Sequence, residues 1–152
     1  MAAGQSGGPY HRRMQIEFIA GFGPIGTDER ATHDFWALTL GLSFEEPEPG
    51  YFHASGLDGV RVFALWPLMQ AAQATFGTPQ WPSDRPIPQA WIEVEMASPE
   101  AVAEAVNELQ AAGQEILIGA HTEPWGQTTA RLMSPEGLLV GISYIPSFHG
   151  TD

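Results

Sequence analysis

The sequence predicts an α+β protein built from two similar modules, each a strand, a helix and three further strands. Two observations lead there. Residues 14–22 and 90–96 each alternate as strands do, and each precedes a capped stretch with helical apolar spacing that stops at a glycine. Three short runs rich in β-branched and aromatic residues, separated by turn signals, then follow each helix. The modules span 14–66 and 89–146, with a connector at 67–88 and tails at 1–13 and 147–152.

In MQIEFIAGF (14–22), Ile16, Phe18, Ala20 and Phe22 share one side, which should lie under a helix. Gln15, Glu17, Ile19 and Gly21 share the other, and GPIGTD should end the strand. Asp28 or Thr27 suits the N-cap, because a short side-chain oxygen can accept from the free N–H groups of the first turn. The helix runs through ERATHDFWALTL, with Ala31, Phe35 and Leu38 as its apolar stripe, Trp36 as a further candidate and Gly41 as its stop. LSFEE, YFHASG and VRVFALW read as strands, divided by Glu-Pro-Glu-Pro-Gly and Leu-Asp-Gly turns.

The connector opens with a stretch that could form a short helix and then turns Pro-rich, which suits no ladder. Connectors of this length are functional or flexible. AWIEVEM begins the second module. Ser98 caps its helix, Pro99 takes the first position and Glu100 complements the helix dipole. Ala101, Val102, Ala105, Val106 and Leu109 form the stripe to be buried, and Gly113 the stop. EILIG, GQTTARLM and LLVGISY complete the module before a polar tail, PSFHGTD.

Composition narrows the function classes. The chain has 152 residues, which suits one compact domain or two small repeats sharing a core. Its 17 Gly and 13 Pro favour frequent turns. There is no cysteine, so disulfides, thiolate metal sites and cysteine nucleophiles are absent together. The net charge is −12 and every basic residue is arginine, a balance that repels phosphate backbones and argues against nucleic-acid binding. It serves solubility, or else steers a cationic ligand. No apolar run approaches the roughly 20 residues of a membrane helix. MAAGQSGGPYHRR lacks the apolar centre of a signal peptide and reads as a disordered or extended tail, so a cytoplasmic location is expected. GQSGGP has neither a preceding strand nor a following helix and is a poor phosphate loop.

Three segments together resemble the glyoxalase/bleomycin resistance/extradiol dioxygenase superfamily, also called the vicinal oxygen chelate fold. They are DERATHDFWALTLGLSF, WIEVEMASPEAVAEAVNELQAAGQEI and PWGQTTARLMSPEGLLVGI, in the family's order and spacing. The resemblance implies paired βαβββ modules curling mixed sheets into an open cup with helices outside. It also implies a homodimer, with modules exchanged between chains in many members. Metal-using members place His or Glu on the first strand of each module and Glu on the last. Those positions fall here near Gly21, Gln89 and Gly141, with Phe63 at the matching place in the first module. None is a good divalent-metal ligand. His11, His33, His53, His121 and His149 show no HxH, HxxxH or HxxE spacing, so no metal or other cofactor is expected. His53 is the one histidine on an expected strand and reads as a hydrogen-bonded or solvated residue.

If Gln89 faces the cup, alternation carries Trp91, Glu93 and Glu95 there too, and puts Ile92, Val94 and Met96 under a helix. On the last strand Leu139, Gly141 and Ser143 face the cup, and Leu138, Val140, Ile142 and Tyr144 the helices. Arg61, Phe63 and Leu65 would line it from the fourth strand, with Trp66 at the exit. Gly141 is either a floor that admits a flat ligand or a bulge. Trp81 and Trp125 lie in loops at the expected mouth, where they either stack on a ligand or pack on a partner or the core. Glu93 pairs with a ligand cation or with Arg61.

The candidate ligand-binding set is therefore Phe63, Trp66, Trp81, Gln89, Trp91, Glu93, Trp125 and Gly141. No catalytic residue is assigned. Metal-free members of the family sequester aromatic antibiotics, so the expected partner is a small aromatic, possibly cationic, natural product. The competing expectation is a lyase, isomerase or dioxygenase that uses an unrecognised metal site or metal-free acid–base work by Glu17, Glu93 or Glu95.

Overall fold

The computed structural model describes residues 14–54 and 56–150. The expected N-terminal tail lies outside the described residues. One mixed sheet of eight strands dominates, in the order β2-β3-β4-β1-β5-β8-β7-β6. The strands are β1 (Phe18–Gly26), β2 (Glu45–Glu48), β3 (Tyr51–Ala54), β4 (Val62–Pro67), β5 (Ala90–Glu95), β6 (Ile118–Thr122), β7 (Thr128–Met133) and β8 (Leu139–Tyr144). β1 pairs in parallel with β4 and β5 in parallel with β8, while β1 and β5 join the halves antiparallel. The two strand–helix–three-strand units thus have the same topology and meet at β1 and β5.

Helices cover the two faces unequally. α3 (Pro99–Ala111) starts where Ser98 Oγ accepts from Ala101 N at 3.1 Å, and ends before Gly113, whose φ of 90° suits glycine. It buries Val102, Ala105 and Val106 against Val94, Met96, Ala130, Leu132 and Ile142. That confirms the expected phase of β5.

α1 (Glu29–His33) is capped by Asp28, which accepts from Ala31 N at 3.0 Å. It continues as a π-helical turn over Asp34–Thr39, closed by Leu40 N donating to Phe35 O. The wider turn changes the phase of the stripe. Trp36 points in toward Phe63 and Leu65, whereas Phe35 and Leu38 turn outward.

α2 (Leu68–Phe76) lies on the opposite, concave face. Its Ala71 packs with Ile25, Ala64, Trp91 and Leu139. Trp81 of the connector packs on the same cluster and edge-on to Phe76, 4.9 Å between centroids. α1 and α3 thus pack on the outer face as expected, and the connector with its short helix α2 packs on the concave side.

β1 departs from its expected limits and alternation. GPIG stays in the strand, with Pro24 paired to Ala90 and Ile25 N donating to Gln89 O at 2.9 Å. A register shift between Ile19 and Gly21 splits the expected apolar side. Phe18 pairs with Glu95, whereas Phe22 pairs with Ile92, so the two rings lie on opposite faces. Gly23 must be glycine because a Cβ there would fall 1.9 Å from Ala64 O and 3.0 Å from Trp91 Nε1. The indole of Trp91 thus crosses β1 and donates to Ala64 O at 3.1 Å.

β4 reverses its expected phase. Phe63 and Leu65 lie under α1, while Val62, Ala64 and Trp66 face the concave side. Arg61 stacks over Phe18, 4.2 Å from the ring centroid, and donates to Phe148 O, so it is no partner of Glu93. Glu17 is exposed ahead of β1. His53 lies 4.0 Å from Glu45 on the neighbouring strand.

Candidate functional site

Strand register lines up Gly21, Glu93, Gly141 and Arg131 across the middle of the concave face. Directly paired residues put their side chains on the same face, so Glu93 has a glycine on each neighbouring strand. The carboxylate that the resemblance expects on β8 is missing at Gly141, and the Glu93 side chain from β5 takes its volume. A Cβ on residue 141 would lie 2.8 Å from Glu93 Cγ and 3.3 Å from Oε2. Gly141 is therefore neither a floor for a flat ligand nor a bulge; it is the space in which Glu93 lies.

One oxygen of Glu93 is held. Oε1 accepts from Gln127 Nε2 at 3.0 Å, and the same nitrogen donates to Ser143 Oγ at 2.8 Å. Trp125 Nε1 donates to Gln127 Oε1 at 2.7 Å, which fixes the amide so that its nitrogen faces Glu93. Gln127 and Ser143 are buried, while the ring of Trp125 is 56% exposed. Glu93 Oε2 makes no hydrogen bond to a described residue, and Glu93 is half-buried.

Burial raises the Glu93 carboxyl from 4.5 to about 7; the Arg131 charge and the Gln127 hydrogen bond oppose the rise, and Glu95 and Glu123 add to it. Tyr51 shares this environment. Its phenol is pushed above its ordinary value by burial first, then by Glu93 and Glu48.

Arg131 is buried and forms an ion pair with Glu123, while donating to Ala74 O of α2 at 3.2 Å. Its guanidinium lies 5.5 Å from the Trp66 ring centroid, and His121 stands 3.3 Å from Glu123. Glu95 is sealed off. Its Oε2 accepts from Ile145 N at 2.5 Å and meets His149 Nε2 at 3.0 Å, under a short 3₁₀ turn over Pro146–His149.

These placements sort the eight expected site residues. Glu93, Trp125 and Gly141 come together. Trp91 is buried in the α2 cluster and Trp66 stands 6.3 Å from it, edge to face. Trp81 donates to Pro86 O at 2.9 Å while packing on the same cluster, so these three tryptophans are core in this conformation. Phe63 is on the other face, 5.2 Å from Trp36. Gln89 is exposed just ahead of β5, and its carbonyl is engaged by β1. Gln127, Tyr51 and Arg131 join the site unforeseen. The signal for Gln127 and Arg131 was the alternation of TTARLM, whose phase follows from pairing Arg131 with Gly141.

The donor set does not fit a divalent metal. Gly21 and Gly141 supply no ligand, Phe63 faces away, Gln127 and Ser143 are neutral, and Arg131 adds a positive charge nearby. Among the described residues no three His, Asp or Glu side chains converge as metal ligands. Clefts of about 10 and 110 Å³ lie where β1 meets α1 and α2, lined among others by Gly26, Glu29 and Pro67. Both fall below the roughly 300 Å³ at which ligand pockets begin.

Solved structures share this architecture. A superfamily member from Vibrio splendidus 12B01 matches at a TM-score of 0.56 and 17% identity, over 84% of this chain and 97% of its own. The chain has the fold of the glyoxalase/bleomycin resistance/dioxygenase superfamily. A 2,2′,3-trihydroxybiphenyl 1,2-dioxygenase from Sphingomonas wittichii RW1 matches at 0.53 and 16% identity, over 84% of this chain and 42% of its own. A Mn(II)-bound glyoxalase from Novosphingobium aromaticivorans matches at 0.50 and 21% identity, over 86% and 38%. No family model matches the chain, and no curated protein does. No described helix is long and apolar enough to cross a membrane.

Proposed function

We propose that this protein is a metal-free small-molecule-binding member of the glyoxalase/bleomycin resistance fold, acting in the cytoplasm on an aromatic ligand that carries a basic nitrogen. One observation carries the reading: Glu93 presents a free Oε2 between two glycines while Gln127 holds Oε1. A ligand N–H⁺ can approach Oε2 without meeting a neighbouring side chain from β1 or β8. The exposed ring of Trp125 offers a stacking surface coupled to the same hydrogen-bond chain. A charge-assisted hydrogen bond in this partly dry setting is worth about 1.5–3 kcal/mol.

Such a ligand binds ionised Glu93, so affinity rises with pH up to about 7 and then flattens. Isothermal titration of planar basic compounds in EDTA tests this. Glu93→Gln should weaken binding by about 10- to 100-fold, in line with loss of one charge-assisted contact. Equal affinity in both proteins would overturn the assignment.

A second reading rests on the same carboxyl. A group that titrates near neutrality with one oxygen free is suited to take a proton from a bound substrate and return it. Mass spectrometry of the ligand recovered after incubation separates the two: unchanged ligand supports binding, and altered ligand supports a metal-independent lyase or isomerase.

A further inference from the structure

We infer that α2 is a displaceable plug, and that the face beneath it is a second part of the ligand site, taking an apolar planar ring system. This rests on the binding reading above and says where the ligand's ring goes.

Beyond Leu68, which packs on the edge of the cluster at its first turn, α2 meets the sheet through small side chains. Ala71 and Ala72 are fully buried and Thr75 nearly so, while the larger Met69 points to solvent. Small side chains contribute little apolar area, so the helix is held weakly for its length. Thr75 Oγ1 is buried with no hydrogen-bond partner, a cost present only while α2 is seated. The seat is aromatic: Trp91 and Trp66 with Ile25 and Leu139 beneath, and Trp81 at the side. A planar ring replacing Ala71 would gain stacking and apolar contact with Trp66 and Trp91 that an alanine does not make.

Both ends of α2 are suited to movement as a unit. Pro67 precedes it in an extended conformation and Gly77 follows at φ 77°, leading into the Pro-rich connector. The contacts that pin it are polar: Gln70 Nε2 donates to Pro49 O at 2.7 Å from its first half. Arg131 donates to Ala74 O, a carbonyl of the last turn, and is itself in the row of Glu93. A ligand that engages Glu93 therefore arrives beside one of the residues that hold the helix down.

Hydrogen exchange of the ligand-free full chain, read by mass spectrometry, tests the plug without needing the ligand. Amides of α2 should exchange about 100-fold faster than those of α3, because a local opening is less costly than global unfolding. Thr75→Val removes the stranded hydroxyl at constant shape and should slow α2 exchange about tenfold, leaving α3 unchanged. Ala72→Gly lowers the helix's own stability and removes one of the buried methyls that seat it, and should speed α2 exchange at least about fivefold. Nile red, a neutral planar probe, should bind more weakly to Thr75→Val and more tightly to Ala72→Gly. Equal exchange of α2 and α3, or equal slowing of both in Thr75→Val, would overturn the plug while leaving binding at Glu93 standing. Normal α2 opening with no ligand bound at Glu93 would sink the binding reading alone.

Discussion

Replacing Glu93 with glutamine should stabilise the protein, and only above acidic pH. In the folded chain the Glu93 carboxyl titrates at about 7, against 4.5 ordinarily, because burial disfavours its charge more than Arg131 and Gln127 favour it. At pH values well below 4.5 both folded and unfolded chains hold the proton, and the group costs nothing. Between about 4.5 and 7 the unfolded chain ionises while the folded one does not, so stability falls as pH rises. Above 7 the penalty is complete. At 1.36 kcal/mol per pH unit the difference corresponds to about 3 kcal/mol, or about 2–3 once the carboxyl's partial access to water is allowed for. Glutamine keeps an oxygen for Gln127 and has no proton to lose. Urea unfolding of both proteins, at about pH 4 and about pH 8.5, should show curves that coincide in acid and differ by about 2–3 kcal/mol in base. A gap that is constant with pH, or glutamine less stable in base, would refute a desolvated carboxyl at this position.

Other substitutions probe the surroundings. Arg131→Met takes the arginine from buried Glu123, leaving His121 beside it, and frees the Ala74 carbonyl; chemical denaturation should show a loss of about 3 kcal/mol. Gly23→Ala drives a Cβ into the Ala64 carbonyl, which is backbone and cannot give way, so the β1–β4 pairing should fail and the melting transition should drop sharply or vanish. Ser98→Ala removes the acceptor for Ala101 N and should cost about 1 kcal/mol by thermal melting.

The parts of the fold visible in the sequence are those where one face differs from the other. β5 was legible because α3 requires Ile92, Val94 and Met96 to be apolar, while Glu93 and Glu95 mark the opposite side. The caps at Asp28 and Ser98 were legible because their chemistry is local. β4 was not. VRVFALW is apolar on both sides because α1 covers Phe63 and Leu65 while α2 covers Ala64 and Trp66, and alternation has no phase where both faces are buried. The register shift in β1 and the π-helical turn after α1 each move the pattern by about one residue, and periodicity read across them splits Phe18 from Phe22 and exchanges Phe35 for Trp36. At the site, Glu93 was found from alternation, but the meaning of Gly141 depended on which neighbour fills its space. That is a fact of pairing between β5 and β8, which no single strand carries.

Glu93, standing in the space of the side chain missing at 141, is the proposed anchor of a ligand bound without a metal. Tryptophan fluorescence of the purified protein, titrated in EDTA with a panel of planar basic antibiotics and repeated with Mn²⁺ or Zn²⁺ in excess, tests it most directly. Saturable quenching by at least one compound is expected, with the same midpoint in both series and weaker binding in Glu93→Gln. Quenching that arises only when the divalent ion is restored would contradict it.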